Sequence, residues 1–113
     1  MENYSDIHRE AQRYVEANYD KRVGLTDFVK LKGFSQRQVQ RALAYYDTNW
    51  QRMLLDVRMD RARGLLSNSG ESIGRVASMV GYDHSQFSRT FKAEEGMAPE
   101  EYREWVLRNR STT

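Results

Sequence analysis

A duplicated segment sets the first limit on what this chain can fold into. Residues 25–43, LTDFVKLKGFSQRQVQRAL, lie over residues 73–91, IGRVASMVGYDHSQFSRTF, without a gap at an offset of 48. Phe28 meets Val76, Gly33 meets Gly81, Gln38 meets Gln86, Arg41 meets Arg89 and Leu43 meets Phe91. Two copies are too few for a solenoid, so the pattern is a small unit present twice. In each copy apolar residues recur at helical spacing up to the glycine, break for about three residues, and then resume at helical spacing. That order predicts helix, tight turn, helix, with the glycine supplying the positive φ of the turn. Ser35 and Asp83 stand where the second helix is capped. Each is followed three residues later by a glutamine, Gln38 or Gln86, in the pattern of a capping box.

The rest of the chain supplies three more helices. Residues 6–20 place Ile7, Ala11, Tyr14, Val15 and Asn18 or Tyr19 in a 3–4 rhythm, one face of an amphipathic helix. Thr48 with Gln51 forms another capping-box pattern, and opens a helix of about 18 residues that reaches Leu66 before SNSGES stops it. Pro99, the only proline, stands at a first helical position. Glu100 and Glu101 follow in the first turn, and Tyr102, Trp105 and Val106 form the apolar stripe. The expected fold is all-α, with seven helices arranged as two helix-turn-helix units joined by a long connector helix. The segments are residues 1–47, 48–67 and 68–113.

Charge is uneven along this architecture. Residues 1–20 carry 2 basic and 5 acidic side chains, residues 21–63 carry 10 and 4, and residues 64–113 carry 6 and 7. A basic centre between acidic ends is the footprint of a polyanion partner. A helix-turn-helix presents the first turns of its second helix to the major groove. In the first unit Gln36, Arg37, Gln40 and Arg41 lie opposite Val39 and Leu43; arginine can pair bidentately with guanine and glutamine with adenine. In the second, His84, Ser85, Ser88 and Arg89 occupy the matching surface, with Lys92 one turn on for a phosphate. The connector would span about 27 Å and neighbouring major-groove segments on one DNA face are about 34 Å apart. A single chain could therefore read two successive grooves of an asymmetric site. The charge split predicts that the first unit dominates affinity.

These residues resemble the AraC/XylS transcription regulators. The resemblance spans nearly the whole chain and is most specific over residues 73–103, through Ala77, Gly81, Phe87, Ser88, Arg89, Phe91, Lys92, Gly96, Pro99, Tyr102 and Arg103. Arg58, Ala62, Leu65 and Leu66 resemble the family's connector. The resemblance implies promoter binding to double-stranded DNA, most often activation through RNA polymerase, and a size similar to small members that bind as monomers without a sensing domain. No small-molecule effector is then expected. Two departures stand out. Members usually carry one more residue between the second glycine and Phe-Ser-Arg, so Ser88 and Arg89 map onto the pattern while His84 and Ser85 do not. In the first unit ALAYYDT replaces the usual Phe-Lys and later Gly, which leaves the end of that helix open.

Other functions find less support. The chain has no cysteine and two histidines, which excludes thiolate chemistry and Cys-based metal sites; no catalytic or metal-ligating set and no cofactor is expected. No run approaches the roughly 20 apolar residues of a membrane helix, and the N-terminus lacks signal architecture, so a cytoplasmic protein on the nucleoid is expected. Trp50, Trp105, Tyr14, Tyr45 and Tyr46 fit helix faces and core better than a single-strand stacking platform. Met53, Met59, Met79 and Met97 read as core fillers. Two alternatives to a sequence-specific regulator stay open: a protein-interaction module, such as a polymerase adaptor or antagonist with weak DNA binding, and an architectural protein that bends DNA.

Overall fold

The computed structural model describes residues 3–111. It contains seven helices: α1 Tyr4–Asn18, α2 Leu25–Lys32, α3 Gln36–Tyr45, α4 Trp50–Asn68, α5 Ile73–Met79, α6 His84–Glu95 and α7 Pro99–Ser111. No strand occurs among the described residues, and the fold is all-α as expected. The chain forms two compact units whose boundary falls inside α4, between Val57 and Arg58.

The first unit is built on α1 and α3. The side chain of Asn3 accepts from the Asp6 N–H at 3.1 Å, so α1 starts two residues earlier than its apolar rhythm suggests. Ile7, Ala11 and Val15 recur every fourth residue and are buried, facing Val39, Ala42 and Leu43 of the same core. Phe28 is fully buried, with the rings of Tyr14 and Trp50 each 5.3 Å away and Phe34 at 6.0 Å. Burial of such a ring contributes about 2–3 kcal/mol. Trp50 keeps its polar edge satisfied by donating from Nε1 to the Val23 carbonyl at 3.3 Å. Lys32 reaches Glu10 at 2.9 Å and ties α2 to α1.

The cap of α4 differs from the sequence expectation. Asn49, not Thr48, accepts the Arg52 N–H, at 2.8 Å. Thr48 is instead taken by the end of α3: its N–H donates to the Leu43 carbonyl at 3.0 Å, and Asp47 N–H donates to Ala44 at 3.0 Å. These two bonds are a Schellman closure, with Asp47 at φ 57° in the position that usually takes glycine. The helix whose end ALAYYDT does not mark therefore stops at Tyr45.

In the second unit Met59, Ala62 and Leu66 of α4 are buried together with Ile73, Val76, Ala77, Val80, Phe87 and Phe91. Tyr102 of α7 meets Phe91 edge-on at 5.4 Å. The end of α4 is held by arginines of α7. Arg103 Nε donates to the Leu66 carbonyl at 3.0 Å and its Nη2 to Ser69 at 3.5 Å, while Arg110 donates to the Ser67 carbonyl at 2.9 Å and to Asn68 Oδ1 at 2.8 Å. A helix end leaves four carbonyls without intrahelical partners; here guanidinium groups take those of Leu66 and Ser67 while matching the negative end of the dipole.

Three of the aromatic residues expected to pack are in fact exposed: Tyr45, Tyr46 and Trp105. Tyr45 lies on the flank of a helix whose buried face is already filled by Val39, Ala42 and Leu43. Trp105 touches Tyr102 along α7 at 6.2 Å but keeps an open face. Met53 and Met59 are buried as expected, and Met79 and Met97 are half-buried.

Candidate nucleic-acid interface

Both helix-turn-helix units start their second helix at equivalent positions of the repeat. Gly33 takes φ 75° and donates its N–H to Val29 at 2.9 Å; Gly81 takes φ 91°, and Tyr82 N–H then reaches back to the Ala77 carbonyl at 2.9 Å. Left-handed backbone costs an L-residue roughly 1–2 kcal/mol, which is why these two turns use glycine. Ser35 then caps α3 reciprocally: Gln38 N–H donates to Ser35 Oγ at 3.1 Å and Ser35 N–H to Gln38 Oε1 at 2.8 Å. Asp83 caps α6 by accepting from Gln86 N–H at 2.7 Å.

With those starts fixed, burial of Val39, Ala42 and Leu43 turns the opposite side of α3 outward. Gln36, Arg37, Gln40 and Arg41 are all exposed on it, forming two polar rows one helical turn apart. On α6, burial of Phe87 and Phe91 leaves His84, Ser85, Arg89 and Lys92 exposed, with Ser88 half-buried at the edge of the core. Arg89 Nη1 donates to Ser85 Oγ at 2.9 Å, one turn back. That bond holds the guanidinium along the exposed face. Gln86 and Tyr45 share these exposed surfaces although the sequence pattern points to neither as a contact; the repeat aligns Gln86 with Gln38, whose side chain serves the cap.

Several cations of the basic centre are engaged within the scaffold. Lys32 pairs with Glu10, Arg52 with Asp56 at 2.7 Å, and Arg63 with Glu95 of α6. The hydrogen bond and charge of Lys32 hold the Glu10 carboxyl below its ordinary range. For Arg63, partial burial works against the charged form, but the hydrogen bond and charge of Glu95 outweigh it and raise the pKa further. Arg37 and Arg41 stand on the exposed face of α3, away from the buried residues of that helix.

A family model described as a helix-turn-helix domain matches residues 29–104, from within α2 to within α7. The chain belongs to the AraC/XylS family. Members of that family are DNA-binding helix-turn-helix transcription regulators rather than enzymes. The transcriptional activator FapR of Escherichia coli is 33% identical over 86 residues, covering 75% of this chain and 33% of FapR. The virulence regulon activator VirF of Shigella flexneri is 33% identical over 92 residues, covering 80% of this chain and 35% of VirF. A DNA-binding transcriptional dual regulator from Escherichia coli K-12 has the same fold, with a TM-score of 0.83 at 27% identity over 90% of this chain and 93% of the other. The AraC/XylS domain described here thus spans about a third of the length of the curated relatives it matches. Among the described residues no group of His, Asp and Glu could hold a metal ion, and no helix is long and apolar enough to cross a membrane.

Proposed function

We propose that this AraC/XylS domain is a sequence-specific reader of double-stranded DNA, in which α3 and α6 enter successive major grooves of an asymmetric promoter site as parts of one monomer. The observation that carries the reading is the exposed α3 quartet, Gln36, Arg37, Gln40 and Arg41, on a helix whose start is fixed by a reciprocal cap. Arginine and glutamine are the side chains that pair bidentately with guanine and adenine, and rows one turn apart meet neighbouring bases. On α6 the roles fall to Arg89, positioned by Ser85, with Ser88 beside it and Lys92 on a phosphate. In this reading the chain acts in the cytoplasm on the nucleoid, and activates by contact with RNA polymerase; that FapR and VirF are activators supports the sign.

Selection of the purified protein against a random duplex library of about 25 base pairs at ~150 mM salt tests it, since that length covers two half-sites one helical turn apart. The expected product is an asymmetric motif in two blocks. Arg41→Ala should then cost about 1–3 kcal/mol at one base position. Recovery of no motif by the folded protein would replace this reading with a protein-interaction module. Equal binding to all sequences would replace it with an architectural role.

A further inference from the structure

Tyr45 is 69% exposed, the highest value for a large apolar side chain among the described residues, and it stands on the proposed recognition helix. Its ring is not loose. The ring of Tyr4 lies 5.5 Å away and that of Tyr46 5.1 Å away, and the ring of Tyr46 lies in turn 4.6 Å from that of His8, tilted by 40°. Rings from α1 and from the end of α3 thus hold an aromatic side chain in place while leaving most of it open to solvent. A core aromatic would be covered, and a solvated helix flank needs no bracing.

Its placement follows from helix geometry. Tyr45 comes four residues after Arg41, so it lies about 40° around the helix and roughly 6 Å further along the axis. The major groove is about 12 Å wide and a helix with its side chains about 10–12 Å across. Each i, i+4 step turns the line by about 40°, so with Arg37 at the base edges Tyr45, two steps on and about 80° around from it, faces one of the two sugar–phosphate walls. We infer that Tyr45 is a DNA-backbone contact: its phenolic O–H donates to a phosphate oxygen flanking the bases read by α3, with the ring against the adjoining deoxyribose. Tyrosine is among the side chains that make positioning contacts of this kind. Bracing by Tyr4 and Tyr46 lowers the entropy lost on docking, because the side chain is ordered beforehand. Tyr45 would set the register of α3 in the groove without reading sequence.

This inference rests on the proposal that α3 reads DNA. The test uses the full chain and its selected duplex, with single methylphosphonates placed at successive phosphates, and compares the parent with Tyr45→Phe. Loss of a hydrogen bond to a charged group should weaken binding by about tenfold. In the parent one neutralised phosphate on the α3 block should cost more than it does in Tyr45→Phe, giving a coupled pair in the cycle. The salt slope should be the same for both proteins, since tyrosine releases no counterion, whereas Arg41→Ala should change affinity at a base or reduce the slope. Parental affinity in Tyr45→Phe, an unchanged methylphosphonate pattern, or a loss confined to one base pair would each overturn the inference. If Arg41→Ala weakens binding and Tyr45→Phe does not, Tyr45 alone is misassigned. If the parent binds no duplex, the reading of α3 fails and this inference goes with it.

Discussion

Asp47 carries the one positive φ outside glycine among the described residues. It closes α3 in a left-handed conformation that aspartate tolerates better than most residues but glycine adopts freely. Asp47→Gly is therefore expected to stabilise the fold by about 0.5 kcal/mol, the relief of strain being partly offset by the greater freedom glycine gives the unfolded chain. Urea denaturation would show it as a higher midpoint at unchanged slope; a lower midpoint would mean the aspartate side chain stabilises the turn more than the strain costs. Glu10 gives a pH signature. Its carboxyl is held below the ordinary value of 4.5 by Lys32, so its contribution is present above that value and disappears as pH falls through the lower, folded-state value. Thermal melts of the parent and Glu10→Gln should differ at neutral pH and converge well below pH 4.5. A difference that persists in acid would point to a packing effect of the substitution.

At the scale of elements, the repeat makes the two recognition helices legible in the bare order of residues. Gly33 with Gly81 and Ser35 with Asp83 are short-range signals, and both turns and both helix starts follow them. Helix ends are less legible, because α3 stops through a residue that lacks the usual glycine and α4 takes its cap one residue later than the Thr48 pattern suggests. The arginine clasp on the end of α4 lies 34 to 43 residues away in sequence, beyond the reach of local pattern. Arg103→Ala should cost about 2 kcal/mol, from two lost hydrogen bonds to carbonyls at a partly buried helix end. Arg103→Lys should recover little of it, since an ammonium cannot span two acceptors as the planar fork does. Full recovery in chemical denaturation would show that charge at the helix terminus, rather than the fork, supplies the stability.

For the whole molecule, the charge split predicts unequal labour between the two units. Residues 64–113 carry one more acidic than basic side chain, whereas Arg37 and Arg41 belong to the basic centre. Arg41→Ala is expected to weaken binding to the selected duplex more than Arg89→Ala, by about tenfold, at physiological salt. Equal losses would mean that the acidic residues around α6 lie too far from the phosphates to matter, since screening removes exposed charges beyond about 8 Å.

Local spacing along the chain is enough to set the all-α class, the two helix-turn-helix units, their glycine turns and the start of each recognition helix, because these depend on the conformational limits of single residues and their near neighbours. It also places Gln36, Arg37, Gln40 and Arg41 on one exposed face, since the buried face of α3 is marked by Val39 and Leu43. Long-range packing settles the rest: which aromatics are covered, and that Arg63, Arg103 and Arg110 are engaged by the scaffold. Covering an aromatic ring or pairing a guanidinium depends on what folds against it, and periodicity along a helix carries no record of that neighbour.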